Sequence, residues 1–389
     1  MIADRPAPRV AFVIEKYLPF IGGAERQAAL LAELLGPRLG RCDVFTAQPD
    51  ARSDAAAVTL HRLGTVRHVS WRHPSNFLAA FRRLLTDGHR YSVVHGHALS
   101  ALSCGAVLGA ALRGTATLLK VCSAGPDGDI AKIRRYPLGS RLWPAIRRVG
   151  AFVVPVPALV PELLAAGVPA DRIAVIPNAL SPAMVRPVAD VSPAAARAAL
   201  GLPDRPTVLF VGRLSREKGP DVLMRAWDAL GAACDATLVI VGDGAEAERV
   251  ARWARDPGRA GRVHVAGARL DVERFYRAAD VLVVPSRSET FCNVLAEGMA
   301  QGLAVVTTPV GLAGQWIRDR QNGIIVGGED AGAMAAGIRQ LLRDAALRER
   351  FGAAARRDAV AAFSAESIAE QYVALYARLA AKSMLPVTA

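Results

Sequence analysis

At 389 residues with 52% apolar side chains, the chain is too long for one ordinary core and too apolar for disorder, so two globular domains are expected. Five scattered cysteines (Cys42, Cys104, Cys122, Cys234, Cys292) never form C-x-x-C, which excludes a disulfide framework and a structural zinc site and suits a reducing cytosol. Of the formal net charge of +13, +11 falls in residues 1–187, and no recognition-helix, zinc-finger or RNP-like pattern accompanies it, so nucleic acid is not an expected partner.

The first ten residues, MIADRPAPRV, lack the apolar core of a signal peptide. RVAFVIE (9–15) then predicts a buried strand, and GAERQAALLAELL (23–35) a helix with Ala28, Leu31 and Leu35 on one face. CDVFTA (42–47), SVVHGH (92–97), TATLLKV (115–121), FVVPV (152–156) and IAVIPN (173–178) are further strands. SALSCGAVLGAALRG (100–114) and ALVPELLAAG (158–167) are helices closed by glycine, and the longest uncharged apolar stretch, ALSALSCGAVLGAAL (98–112), is too short and too rich in small residues to span a bilayer. Two basic stretches interleave aromatics, at 66–85 and 131–150. Phe77, Leu78, Phe81, Leu84 and Leu85 fall at helical spacing, which sends some of them to the core. Trp71, Tyr136 and Trp143 beside arginines suit an anionic membrane surface or an acidic partner, the alternative being a plain solvated face.

After the Pro-rich connector 178–193, TVLFVGR (207–213), TLVIVGDG (237–244), VHVAG (263–267), VLVVPS (281–286), LAVVTT (303–308) and GIIV (323–326) read as strands separated by helices such as 220–230 and 248–256. Near-continuous apolar strands with helical crossovers imply parallel sheets covered on both faces. The fold class is therefore α/β, with two Rossmann-like domains and a cleft between them. An amphipathic helix, 367–382, ends the pattern.

Ligands of such sheets bind at strand C-terminal ends, so the chemistry is sought there. IGGAERQ (21–27) places Gly22 and Gly23 before a helix whose free N–H groups suit a phosphate or anionic sugar, or else forms a plain turn. VGRLSREKG (211–219) places Arg213 and Lys218 just past a strand, where two cations would neutralise a diphosphate or stand solvated. VGDG (241–244) adds glycines at the next strand end. SETFCNVLAEGMAQG (288–302) puts Glu289 at a strand exit and Glu297 in the following helix; each carboxylate either meets a cation or hydroxyl there, or is an ordinary surface charge.

In this order GGAER, GRLSREKG, VGDG and ETFCNVLAE resemble the retaining glycosyltransferases of family 4, which have the GT-B fold of two Rossmann-like, doubly wound parallel-sheet domains facing a central cleft. GVPADRIAVIPNAL (167–180) resembles the family's lead-in to its linker, which usually ends in PNG where this chain has Asn178-Ala179. The resemblance covers nearly the whole chain and is strongest over 205–330. It implies an acceptor-binding domain at 1–185, a donor-binding domain at 186–365, and a helix at 366–389 crossing back to the first. It further implies that Glu297 lies near the nucleotide ribose and that Glu289 faces the donor sugar. Arg213 and Lys218 would hold the diphosphate leaving group, helped by backbone around Phe291, Cys292, Asn293 and Val294 and by close approach at Gly212 and Gly242. Gly22 and Gly23 would close the site from the other domain.

Retention in this family is ascribed to front-face attack assisted by the leaving phosphate, so no protein nucleophile is expected; GT-B enzymes generally replace a metal with cationic side chains and helix dipoles, so no metal or cofactor is expected. The implied partners are a nucleotide-diphosphate-sugar donor, a glycan or lipid-linked acceptor of cell-envelope synthesis, and an anionic membrane surface at the cytoplasmic face. Two features depart from or complicate the pattern. Relatives place a histidine after the strand matching 115–121, where this chain reads KVCSAGPDGD; His97, in VVHGHALS, either contacts acceptor or sugar or packs. Asp127-Gly128-Asp129 spells D-x-D, a metal–diphosphate motif of a different transferase fold, and no metal role is assigned to it. The alternatives are a nucleotide-sugar 2-epimerase-like isomerase on the same scaffold, or a non-catalytic nucleotide-sugar-binding subunit.

Overall fold

The computed structural model describes residues 9–19, 22–64, 69–136, 138–185, 192–231 and 234–383, with backbone alone for 69–72. The chain divides into two compact units, Met1–Ala179 with Ala365–Ala389, and Leu180–Ser364. The sequence draws its borders at 185/186 and 365/366.

The first unit is built on a seven-stranded sheet of β1 (Val10–Ile14), β2 (Cys42–Thr46), β3 (Val58–Arg62), β4 (Val93–Gly96), β5 (Ala116–Lys120), β6 (Ala151–Val154) and β7 (Ile173–Val175). Their order is β3-β2-β1-β4-β5-β6-β7, and every pairing is parallel. The order reverses between β1 and β4, which defines the crevice where such sheets take ligands. β1, β2, β4, β5 and β6 are buried along their whole length and are mostly apolar, with Asp43, His95 and Lys120 buried among them.

Helices Gly23–Leu35 and Ala365–Ser383 cover one face, bringing Leu35, Tyr372, Tyr376 and Leu379 onto Phe12, Leu118 and Val153. Helix Ala101–Ala111 packs on β1, β4 and β5 and against helix Val69–Asp87. Its small residues have a stated purpose. A Cβ on Gly105 would lie 2.2 Å from the Phe77 carbonyl oxygen, and one on Gly109 2.4 Å from that of Phe81. Only glycine lets these two helices approach so closely.

The second unit has six strands, β8 (Thr207–Val211), β9 (Thr237–Val241), β10 (Val263–Gly267), β11 (Val281–Val284), β12 (Ala304–Thr307) and β13 (Ile324–Ile325). Their order is β10-β9-β8-β11-β12-β13, again parallel throughout, with the reversal between β8 and β11. Val208, Phe210, Leu238, Ile240, Val281 and Val306 line its core beneath helices Pro220–Leu230 and Ala331–Arg343.

Two sequence readings need correction. β3 is absent from the apolar-run reading because VTLHR is a half-buried edge strand whose polar residues break the pattern. Trp143 is no surface anchor: it is 4% exposed, packs against Phe152, and donates its indole N–H to the Ala166 carbonyl at 2.8 Å. Tyr136 stacks on His73, and the Trp71 side chain lies outside the described residues. The basic stretch itself forms two short helices, Asp129–Arg135 and Gly139–Ile146.

Candidate functional site

In the second unit, the loops after β8 and β11 meet at the switch point because glycines let their backbones touch. Gly219 has φ 67° and a Cβ there would lie 2.2 Å from the Pro285 carbonyl oxygen. Gly242, at φ 148°, leaves room for the Gly212 carbonyl, which would stand 1.8 Å from a Cβ. The glycines of GRLSREKG and VGDG thus join loop to loop, besides leaving their own surfaces open.

This nesting brings Lys218 to Glu289, with Nζ 2.7 Å from Oε1. The pair is mostly buried, at 23% and 15% side-chain exposure, and Ser286 Oγ donates to the same Oε1 at 3.2 Å. Burial disfavours the ammonium, but the charge of Glu289 and its hydrogen bond outweigh that, so the Lys218 pKa stands above that of an ordinary lysine. Glu217 adds a weaker contact at 3.5 Å. Arg213 is exposed on the same loop. The two cations read from GRLSREKG therefore differ, one held by a carboxylate and one facing solvent.

The loop after β11 enters helix Asn293–Ala300 through Cys292, whose φ of 64° is left-handed. Its thiol is buried, and burial followed by the Glu289 charge drives its pKa well above the usual range, which leaves it protonated and unreactive. Phe291 is buried edge-on against Phe363 and packs on Trp316, so its ring anchors the loop while the backbone turns. Asn293 and Val294 open the helix, where N–H groups have no intrahelical acceptor. Glu297, in the same helix, accepts a 2.7 Å hydrogen bond on Oε2 from the hydroxyl of Tyr276, a fully buried residue.

Residues missed in the sequence hold this arrangement. Arg287, two positions before Glu289, forms a bidentate pair with Asp221, both bonds at 2.8 Å, and reaches Glu329 at 2.6 Å. These hydrogen bonds pull the pKa values of Asp221 and Glu329 below the usual carboxylate range. Nothing in the local sequence pairs residues 221, 287 and 329, and Tyr276 reads as one more core aromatic.

The first unit carries the remaining residues. Gly22 caps helix Gly23–Leu35 in an extended conformation (φ −135°) open to any residue, and its carbonyl accepts the Arg26 N–H. His97 is fully buried, 5.3 Å from His95 ring to ring, and neither of its ring nitrogens has a hydrogen-bond partner among the described residues. Burial, and then the charge of Lys120, push both imidazoles well below the ordinary histidine pKa. Lys120 itself is 2% exposed, donates to Asn178 Oδ1 at 2.7 Å, and is pushed down to about 8 by burial. In the D-x-D sequence, Asp127 is an exposed partner of Arg135, whereas Asp129 accepts from the Cys122 N–H and the Ser123 hydroxyl. The two carboxylates serve separate structural contacts. Among the described residues, no group of three or more His, Cys, Asp or Glu side chains could hold a metal ion.

Residues 194–358 match the family model described as glycosyl transferases group 1, and residues 22–179 match the glycosyl transferase 4-like domain. The chain belongs to the GT4-type glycosyltransferases. LpsE of Rhizobium meliloti (strain 1021), a lipopolysaccharide core biosynthesis glycosyltransferase, is 36% identical over 182 residues, 46% of this chain and 53% of that protein. A D-inositol 3-phosphate glycosyltransferase of Acidothermus cellulolyticus (strain ATCC 43068 / DSM 8971 / 11B) is 40% identical over 196 residues, 47% of this chain and 43% of that protein. The chain thus spans about half the length of the curated relatives it matches. The crystal structure of Anabaena HepE in complex with UDP-glucose superposes with a TM-score of 0.77 at 18% identity, over 95% of this chain and 99% of that one. That likeness establishes the GT-B fold, in agreement with the two parallel-sheet units.

Proposed function

We propose that this GT4-type chain transfers a sugar, with retention of configuration, from a nucleotide-diphosphate donor to a glycan or lipid-linked acceptor of the cell envelope. The carrying observation is the Lys218–Glu289 pair at the switch point of the second unit, beside the N-terminus of helix Asn293–Ala300. UDP is the first nucleotide to try, since HepE binds UDP-glucose on the same fold. The lipopolysaccharide relative supports an envelope acceptor.

In this reading the diphosphate sits against Lys218, Arg213 and the opening N–H groups of the helix. Negative charge grows on the departing phosphate oxygen as the glycosidic bond breaks, and preorganised cations and N–H groups stabilise it where it develops. They serve in place of a metal ion. Glu297, oriented by Tyr276, accepts from the ribose hydroxyls, and Glu289 faces the sugar. The leaving phosphate assists deprotonation of the acceptor on the same face, so no protein nucleophile takes part. The exposed arginines of helices Asp129–Arg135 and Gly139–Ile146 attract an anionic membrane at its cytoplasmic face. Among the described residues no helix is long and apolar enough to cross a membrane.

Calorimetric titration with UDP, GDP, ADP and their common sugars tests the donor clause. Binding of one nucleotide family, weakened in both Lys218→Ala and Glu297→Ala, is the expected result; a folded protein that binds none of them refutes it. Donor conversion without acceptor would instead indicate an isomerase. Flotation with anionic liposomes at physiological salt tests the membrane clause, which fails if the protein stays in the unbound fraction.

A further inference from the structure

We propose that Arg287 is the positioning residue of the Lys218–Glu289 pair, acting as a staple between the two loops that carry them. The proposal rests on the reading in which Lys218 meets the donor diphosphate and Glu289 faces the sugar. Arg287 uses its fork on three separate segments of the chain, two through side-chain carboxylates and one through a main-chain carbonyl. Nη1 and Nη2 bind the two oxygens of Asp221 at 2.8 Å each, at the start of helix Pro220–Leu230. Nη1 also donates to the Arg216 carbonyl at 2.6 Å, and Nε to Glu329 at 2.6 Å. Its main-chain N–H donates to the Glu217 carbonyl at 2.8 Å. The guanidinium and amide therefore grip residues 216 and 217, immediately before Lys218, while Arg287 itself lies two positions before Glu289.

Without the guanidinium, the short turn Arg216–Lys218 keeps the residue-287 amide bond to the Glu217 carbonyl, the Gly219–Pro285 contact and the Lys218–Glu289 ion pair, but loses its tie to Asp221 and Glu329. A mostly buried ion pair needs its geometry imposed, because its attraction offsets the desolvation of both charges only while they stay in contact. Arg287 supplies that geometry at a 20% exposed position, through its bonds to Asp221, Arg216 and Glu329. A lysine cannot replace it, since one ammonium cannot span a bidentate carboxylate, a carbonyl and a second carboxylate.

The test uses the full chain with Arg287→Gln and Arg287→Lys. In both, amide hydrogen exchange over 211–219 and 286–292 is expected to speed at least tenfold, while β9 and β12 exchange as in the wild type. Unchanged loops, or equal acceleration everywhere, overturn the proposal, the latter because Arg287 would then be a general stabiliser. UDP titration gives the second readout: Lys218→Met is expected to weaken UDP about tenfold in the wild type and under threefold beside Arg287→Gln. Equal losses in the two backgrounds also overturn it. If the wild type binds GDP or ADP instead of UDP, that nucleotide is titrated in the same way; if it binds none of the three, the donor reading fails, and the exchange measurement still decides the role of Arg287.

Discussion

Nζ of Lys218 lies 2.7 Å from Oε1 of Glu289, joining the loop after β8 to the loop after β11 at the point where the strand order reverses. Each side chain is thereby held where parallel sheets take ligands, and the Glu289 charge offsets the burial that disfavours the Lys218 ammonium.

Replacing Lys218 with Met is expected to lower the rate of sugar transfer by about 10²–10³, the loss seen when one preorganised donor to a developing oxyanion is removed. Turnover at saturating donor measures it. A loss confined to KM would place Lys218 in uniform binding rather than in stabilisation of the leaving group.

The raised pKa of Lys218 sets a sign for pH dependence. A lysine raised in the folded state contributes its full stability below the ordinary lysine pKa and loses it as pH rises through the higher folded value. The pair is therefore expected to hold unchanged from neutral pH through the ordinary lysine value. In Glu289→Gln the attraction goes and the burial stays, so the alkaline fall in activity should move to lower pH. A pH–rate profile of both proteins checks this, and coincident alkaline limbs would contradict it.

Lys120 gives the opposite sign in the first unit. Burial takes its pKa from 10.5 to about 8, so the folded state binds fewer protons between those values and stability rises with pH across them. The full gain is about 3 kcal/mol at 1.36 kcal/mol per pKa unit. Lys120→Met should therefore raise the melting temperature at pH 7 and lose that advantage by pH 10.5. His95 and His97 act on the acid side. Their pKa values are lowered, so stability should fall as pH drops below about 6.5, the unperturbed histidine value. Thermal unfolding from pH 5 to 10.5 reads both effects.

Tyr276→Phe removes one hydroxyl and keeps the ring. The lost hydrogen bond to a carboxylate is worth about 1.5–3 kcal/mol, so nucleotide affinity should fall about tenfold or more, with little change in the core. Unchanged affinity by calorimetry would remove Glu297 from the ribose site or Tyr276 from its support.

Gly242→Ala is expected to destabilise the second unit by at least about 2 kcal/mol, through positive φ and overpacking together. The new Cβ would sit 1.8 Å from the Gly212 carbonyl oxygen. Denaturant unfolding measures it, and a wild-type midpoint would show that the two loops separate freely.

Much of this was legible in the amino-acid order. Runs such as VLFV (208–211) and VLVV (281–284) are apolar at every position, which only a strand covered on both faces tolerates, so the parallel sheets could be read directly. The positions of Lys218, Glu289 and Glu297 at strand exits and in the helix after β11 followed from the same runs. Trp143 was misread because flanking arginines describe a segment's surface and not the direction of one ring, which here turns inward to the Ala166 carbonyl.

Sequence alone determined the two-sheet α/β architecture, the family resemblance and which loops carry charge, because hydrophobic period and strand-end motifs are local properties. Tertiary structure alone decided who partners whom. Lys218 with Glu289, Arg287 with Asp221 and Glu329, and Tyr276 with Glu297 are pairs joined through space across strand crossovers. The burial that lowers His97 and Lys120 is likewise a property of the packed unit, since desolvation depends on every neighbour at once.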